Sequence, residues 1–168
     1  MSQGKDIQSM LSANEKDLID EELSHYPTKR AGAVEALMIV QRQRGWVSDE
    51  LLSAVADHVN MAPAELDRSA TFYNLIFRRP VGRHLVLVCN SVSCWLMGAD
   101  RLRERLRSRF GIDAGETSAD GRITVLPNVC LGACDRAPAV MIDETLHGPL
   151  TADQLDRLLD LSVSETLP

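Results

Sequence analysis

The 168-residue sequence has no apolar run approaching the ~20 residues that a membrane-crossing helix needs, so direct membrane insertion is not expected. Its opening residues, Met1-Ser2-Gln3-Gly4-Lys5-Asp6, contain no apolar signal core, which argues against an exported chain held by disulfides. Positive charge is in short supply: 18 Lys and Arg face 24 Asp and Glu, and the net charge of −6 disfavours nucleic-acid binding outside a local patch. Both usual nucleotide loops are missing, since there is no G-x-G-x-x-G after a strand pattern and no G-x4-G-K-[ST]. There is no redox-type C-x-x-C, which removes catalytic dithiol exchange. His25, His58, His84 and His147 are scattered without metal-ligand spacing and are expected to be surface or packing residues. No internal repeat or low-complexity tract is present.

What the chain does have is four cysteines in two close pairs. Cys89 and Cys94 form C-x4-C, Cys130 and Cys134 form C-x3-C, and none is left over. A binuclear iron-sulfur cluster takes four thiolates, two to each iron, so two short pairs brought together by a fold are a natural way to supply them. On this reading Cys89 and Cys94 hold one iron, and Cys130 and Cys134 hold the other. Cys89 ends the apolar run Leu85-Val86-Leu87-Val88, which reads as a buried strand, and Cys94 is expected in the following loop, ahead of a helix. Between the second pair, Gly132 has no Cβ and can let the backbone curl close to an inorganic sulfide. Such a loop can aim amide N–H groups at the sulfurs.

Two other uses of four cysteines compete. Structural zinc also accepts four thiolates, although its knuckles usually sit in shorter, polar loops, and one pair here follows a strongly apolar strand. A zinc-stabilised interaction module is therefore the rival from another class. Two disulfides would suit a secreted chain, but a chain of this length does not need stapling.

The texture divides the sequence into a tail and helical bundle over 1–79 and an α/β domain over 80–168, an α+β fold class. Residues 1–12 are polar and expected to be loose. A first helix is expected from about Asn14, with Leu18, Ile19, Leu23 and Tyr26 as its stripe and Pro27 as its end. A second carries Val34, Leu37, Met38 and Val40 and stops at Gly45; a third is capped by Ser48; a fourth opens on Pro63. The charged, turn-rich stretch 78–83 reads as the junction. Beyond it come a strand over 85–89, a helix over 99–110 stopped by Gly111, strands over 123–126 and 139–142, and a helix starting at Thr151. That last start is specified by a Thr151/Gln154 capping box and a Leu150/Leu155 staple. Along 99–110, Leu102, Leu106 and Phe110 form the buried stripe, which leaves Arg101, Arg103, Arg105, Arg107 and Arg109 as a solvent or partner face. Each half is small enough to be marginal alone, so the helical half is expected to lean on a partner, with Trp46, Phe72 and Tyr73 as candidate anchors. Trp95 is expected either to shield the thiolate site from water or to cover a subunit contact.

These segments together resemble the thioredoxin-like 2Fe-2S ferredoxin family, in the branch formed by the small 2Fe-2S subunit of bacterial NADH:quinone oxidoreductase, or respiratory complex I. The resemblance covers roughly residues 14 to 160 and is most specific from Asp120-Gly121-Arg122-Ile123-Thr124 through Cys130-Leu131-Gly132-Ala133-Cys134 to Ala137-Pro138. Gln43-Arg44-Gly45-Trp46-Val47, Ala70-Thr71-Phe72-Tyr73 and Pro80-Val81-Gly82-Arg83-His84 are also similar, while Ile123 departs from a position where an aromatic is common. The resemblance implies a thioredoxin-like domain with one 2Fe-2S cluster on Cys89, Cys94, Cys130 and Cys134, in an electron-transfer subunit with no catalytic residues of its own. It implies two partners, a larger subunit that binds FMN, NADH and a 4Fe-4S cluster, and the larger iron-sulfur subunit of the same module. It further implies a place near the FMN, in the peripheral arm on the cytoplasmic face of the membrane. The equivalent diaphorase subunit of an NAD-linked hydrogenase or formate dehydrogenase is the alternative that sequence separates poorly.

Overall fold

The computed structural model describes residues 10–164, and the chain divides between Pro80 and Val81 into two compact units. The tail expected over 1–12 lies outside the described residues as far as residue 9, whereas Leu11 is buried.

The first unit is all helical. Helix α1 (Ala13–Leu23) begins with a capping box in which Ser12 Oγ accepts the Glu15 N–H and the Glu15 carboxylate accepts the Ser12 N–H. It ends at Leu23, earlier than the Pro27 boundary expected, so Tyr26 lies beyond it and Leu18 is exposed, off the buried stripe of Ile19 and Leu23. A 3-10 turn (Lys29–Gly32) leads into α2 (Ala33–Arg44), which stops where Gly45 enters the left-handed region at φ 83° and its N–H caps Gln41. Helix α3 (Asp49–Val59) starts on Ser48, whose hydroxyl accepts the Leu51 N–H, and α4 (Pro63–Phe72) opens on its proline. Ile19, Leu37, Val40, Val47, Val55 and Leu66 are fully buried at the centre. The segment after α4 is tied back by polar groups. Gln41 donates to the Leu75 carbonyl and accepts the Phe77 N–H, and Arg78 reaches Asp49, Asp67 and the carbonyl of Ser48. Arg78 thus clamps the end of the helical unit.

The second unit is a mixed four-stranded sheet in the order β2-β1-β3-β4 with helices against it. Strand β1 (His84–Cys89) runs parallel to β2 (Ile123–Asn128) and antiparallel to β3 (Val140–Ile142), which forms a hairpin with β4 (Thr145–His147). The helices are α5 (Val92–Leu96), α6 (Ala99–Phe110) and α7 (Ala152–Ser164). Val86, Val88, Ile123 and Val125 from the parallel pair pack with Leu102, Leu106, Leu155 and Leu159 from α6 and α7. The outer edge of β2 is occupied by residues 115–118: Gly115 donates to the Val125 carbonyl, Val125 donates to Glu116, and Ser118 donates to Ile123. The capping box of α7 forms as the sequence implies, with Thr151 and Gln154 exchanging bonds.

The arginine face of α6 is largely committed within the unit. Arg105 and Arg109 both bind Asp156 of α7, at 2.7 and 2.9 Å, Arg109 also pairs with Asp160, and Arg107 pairs with Asp113. Arg101, Arg105, Arg107 and Arg109 are exposed, as a solvent face implies, but α7 supplies Arg105 and Arg109 with acidic partners that the local pattern of α6 could not disclose. The α+β class, a helical bundle followed by an α/β layer, is the observed one.

One ion pair in the helical unit is buried enough to matter. Glu15 is 1% exposed, and its carboxylate takes two bonds from Arg44, at 2.7 and 2.8 Å. The Arg44 bonds, against the cost of burial and helped by the Ser12 groups, lower its pKa from 4.5 to about 2. The contribution is complete above about pH 4.5, the unfolded value, and fades as pH falls toward 2. Glu15→Gln is therefore expected to lose roughly 2–3 kcal/mol at pH 7, allowing for the half-exposed guanidinium. Urea unfolding checks this: the gap between wild type and variant must narrow between pH 4.5 and pH 3, and an equal gap at both would refute the assignment.

Candidate metal centre

The four cysteines come from four different local structures at one end of the sheet. Cys89 is the last residue of β1, with its N–H donated to the Ala139 carbonyl. Cys94 lies inside α5, not in a loop ahead of a helix as the sequence suggests: Ser91 starts this short helix right after the strand. Cys130 follows β2, two residues beyond Asn128, and Cys134 opens a 3-10 turn (Cys134–Arg136). Because Cys89 is paired in register with Asn128, the parallel ladder carries the second cysteine segment to the first.

The two pairs differ in exposure. Cys89 and Cys94 are buried at 2% and 1%, packed with Ala99, Ala133, Ala137 and Ala139, while Cys130 and Cys134 are exposed. Cys130 Sγ and Cys134 Sγ are 3.9 Å apart. Among the described residues no three His, Cys, Asp or Glu side chains group as a site for one metal ion.

Polar hydrogens are directed at these sulfurs. The Gly132 N–H lies 3.4 Å from Cys130 Sγ, and the Ser91 hydroxyl is 3.4 Å from Cys89 Sγ. Gly132 has φ 76°, with no protein atom within 4 Å of where a Cβ would sit, so backbone conformation and not crowding calls for glycine here. Burial pushes the Cys89 thiol up, but bonds from Ser91 and from the Leu131 backbone outweigh it and bring it down to about 7. Cys94 is raised by burial and by its neighbour Cys89, with the Ala139 backbone acting the other way. Cys134 is raised through its bond to Cys130, opposed by the Ser93 side chain. Leu131 of the second segment lowers Cys89 and Ser93 of the first lowers Cys134, so each pair feels a group from the other's segment. Two thiolate pairs with amide and hydroxyl donors fit a binuclear cluster, in which each iron takes two protein sulfurs.

Other candidate residues divide. His58 and His84 are bound to Asp20 and Asp143, at 2.9 and 3.1 Å, consistent with structural roles. Trp46 is half-buried beside the buried Val47. Trp95 is 55% exposed, so the shielding role expected for it gives way to a surface one. It belongs to a set of exposed apolar side chains flanking the cysteines, with Val92, Leu96 and Met97 on and just after α5 and Val129 beside Cys130. Phe72, Tyr73 and Leu75 are exposed in the helical unit. The serines at 91 and 93 were missed as sulfur partners; their places either side of Val92, just before Cys94, were the available signal.

A family model described as thioredoxin-like [2Fe-2S] ferredoxin matches residues 19–162. The chain is 43% identical over 166 residues to the E subunit of NADH-quinone oxidoreductase from Pseudomonas aeruginosa, covering 97% of this chain and 100% of that one. It is 45% identical over 150 residues to the protein of the same name from Escherichia coli K12, covering 89% and 90%. Among solved structures, an NAD+-reducing [NiFe]-hydrogenase in the air-oxidized state is similar with a TM-score of 0.69 and 26% identity. That likeness covers 81% of this chain and 23% of the hydrogenase chain.

Proposed function

The chain belongs to the thioredoxin-like [2Fe-2S] ferredoxin family, and from that membership we propose that it is the electron-transferring small subunit of an NADH-quinone oxidoreductase. The observation that carries this reading is the pairing of four thiols from β1, α5 and the segment after β2, in a chain 43–45% identical over most of its length to relatives of that name. Cys89 and Cys94 hold one iron of a single 2Fe-2S cluster, and Cys130 and Cys134 hold the other. Bound there, the cluster supplies one-electron exchange. The chain's own groups set the conditions for it. The thiol of Cys89 is already acidified by Ser91 and Leu131, and the Gly132 amide donates to Cys130.

NADH chemistry belongs to a partner. Hydride transfer moves two electrons, and the sequence offers no nucleotide loop, so a flavin on a larger subunit that also holds a 4Fe-4S cluster makes the two-to-one conversion. The exposed apolar residues flanking the cysteines support docking of that subunit beside the cluster, because such side chains become favourable only when covered. The larger iron-sulfur subunit of the module is the further partner. Among the described residues no helix is long and apolar enough to cross a membrane; a place in a peripheral arm on the cytoplasmic face follows from the proposed role in the NADH-quinone oxidoreductase and not from that absence. The likeness to an NAD+-reducing hydrogenase supports a second reading, the same role in a diaphorase module. Identification of the proteins that co-purify from native membranes separates the two.

Three outcomes test the proposal. Cys130→Ala, or the same change at Cys89, Cys94 or Cys134, is expected to abolish the normal binuclear EPR signal on reduction. A full signal in Cys130→Ala would remove that residue from the ligand set. The isolated, flavin-free chain is expected to oxidise no NADH, and measurable turnover would place the catalytic site in this chain after all. Trp95→Glu combined with Leu96→Glu is expected to weaken co-purification with the flavin subunit at least about tenfold, since a charge in a buried interface core is strongly unfavourable. Undiminished binding would move the contact elsewhere.

A further inference from the structure

Arg103 stands apart from the other arginines of α6. Its side chain is 26% exposed and turns toward the end of β1, where Nη2 donates to the Cys89 carbonyl at 3.2 Å and to Asn90 Oδ1 at 2.9 Å. The connection continues from Asn90. The Asn90 N–H donates to the Asn128 carbonyl at 2.7 Å, and Asn128 Nδ2 donates to the Cys130 carbonyl at 3.3 Å. Arg103 thus holds the Cys89–Asn90 segment, Asn128 holds the Cys130 carbonyl, and a backbone bond joins Asn90 to Asn128. Every link except the guanidinium is neutral. Arg103 is ion-paired with Asp100, whose side chain is 56% exposed and well solvated.

Reduction of a cluster adds one negative charge. A cation held behind a ligand's own carbonyl stabilises that charge, and it acts more strongly than a surface cation because it is partly withdrawn from water. Resting on the cluster reading given above, we propose that Arg103 is a positioning residue for the cluster with two linked roles. It holds the Cys89–Asn90 segment through the Cys89 carbonyl and the Asn90 side chain, and it favours the reduced state. Asp100 opposes the second role.

An EPR-monitored redox titration of the cluster-loaded full-length chain tests this. Arg103→Gln retains a side chain that can donate but removes the charge. At the ambient potential that half-reduces wild type, its ratio of reduced to oxidised cluster is expected to be about three- to tenfold lower. Arg103→Lys keeps the charge and is expected to stay within about twofold of wild type, while Asp100→Asn is expected to shift the ratio the opposite way from Arg103→Gln. A loaded Arg103→Gln protein that titrates with wild type would overturn the proposal, as would an Arg103→Lys protein displaced as far as Arg103→Gln. Should Arg103→Gln fail to load, Asp100→Asn decides, because it leaves the Cys89 and Asn90 contacts in place; an unchanged potential there rejects the electrostatic role. A wild-type chain with no acid-labile sulfide and no binuclear signal would instead sink the cluster reading itself.

Discussion

Two cysteine segments separated by 35 residues have to meet, and the parallel pairing of β1 with β2 is what brings them together. A parallel pair places both C-terminal ends at the same edge of the sheet, with a crossover between them. Here β1 ends on Cys89 opposite Asn128, α5 and α6 make the crossover, and Cys130 follows two residues after the register ends. Slipping the pair by one residue would turn Val86 and Val88 out of the core shared with Leu102, Leu106, Leu155 and Leu159. The same apolar packing that stabilises the unit thus fixes where the sulfurs arrive.

That arrangement also explains the uneven burial of the thiols. Cys89 belongs to a central strand and Cys94 to the first turn packed over it, so both are enclosed by alanines. Cys130 and Cys134 lie in a loop and a short turn beyond the edge strand and stay open. One pair is thus held in the packed interior of the unit and the other lies at its surface. The arginines of α6 serve the packed side. Arg105 and Arg109 bind α7 through Asp156, and Arg103 binds the strand end itself.

Much of this was legible in the residues. The apolar run at 85–88, the glycine stop at 111, the cap at Ser48 and the Thr151/Gln154 box each act within a few residues, and the structure repeats them closely. The pairing of the cysteines was legible because spacing within each pair is local too. What stayed hidden depends on distant groups or on elements too short to show a period. Strand β4 has three residues, and its turn is made by Asp143 at φ 53° with no glycine to announce it. Cys94 enters a five-residue helix whose start is set by the strand before it. Arg103 and Arg105 were expected on a solvent or partner face because Asn90 and Asp156 become their partners only in three dimensions. Glu15 was likewise unremarked, although Ser12-Ala13-Asn14-Glu15 spells a capping box, because its burial depends on Arg44 from another helix.

The two borders of the sheet carry a consequence for how this protein keeps company. Bare strand borders invite main-chain zippering between copies, which leads to fibrils and mispaired aggregates. On one border, residues 115–118 already use the outward groups of β2, and Pro127 removes a donor farther along. On the other, β4 offers only three residues, too few for a stable added strand. A chain that displays Trp95, Leu96 and Val129 in the open can therefore remain sticky toward one shaped surface while resisting polymerisation with itself through its backbone.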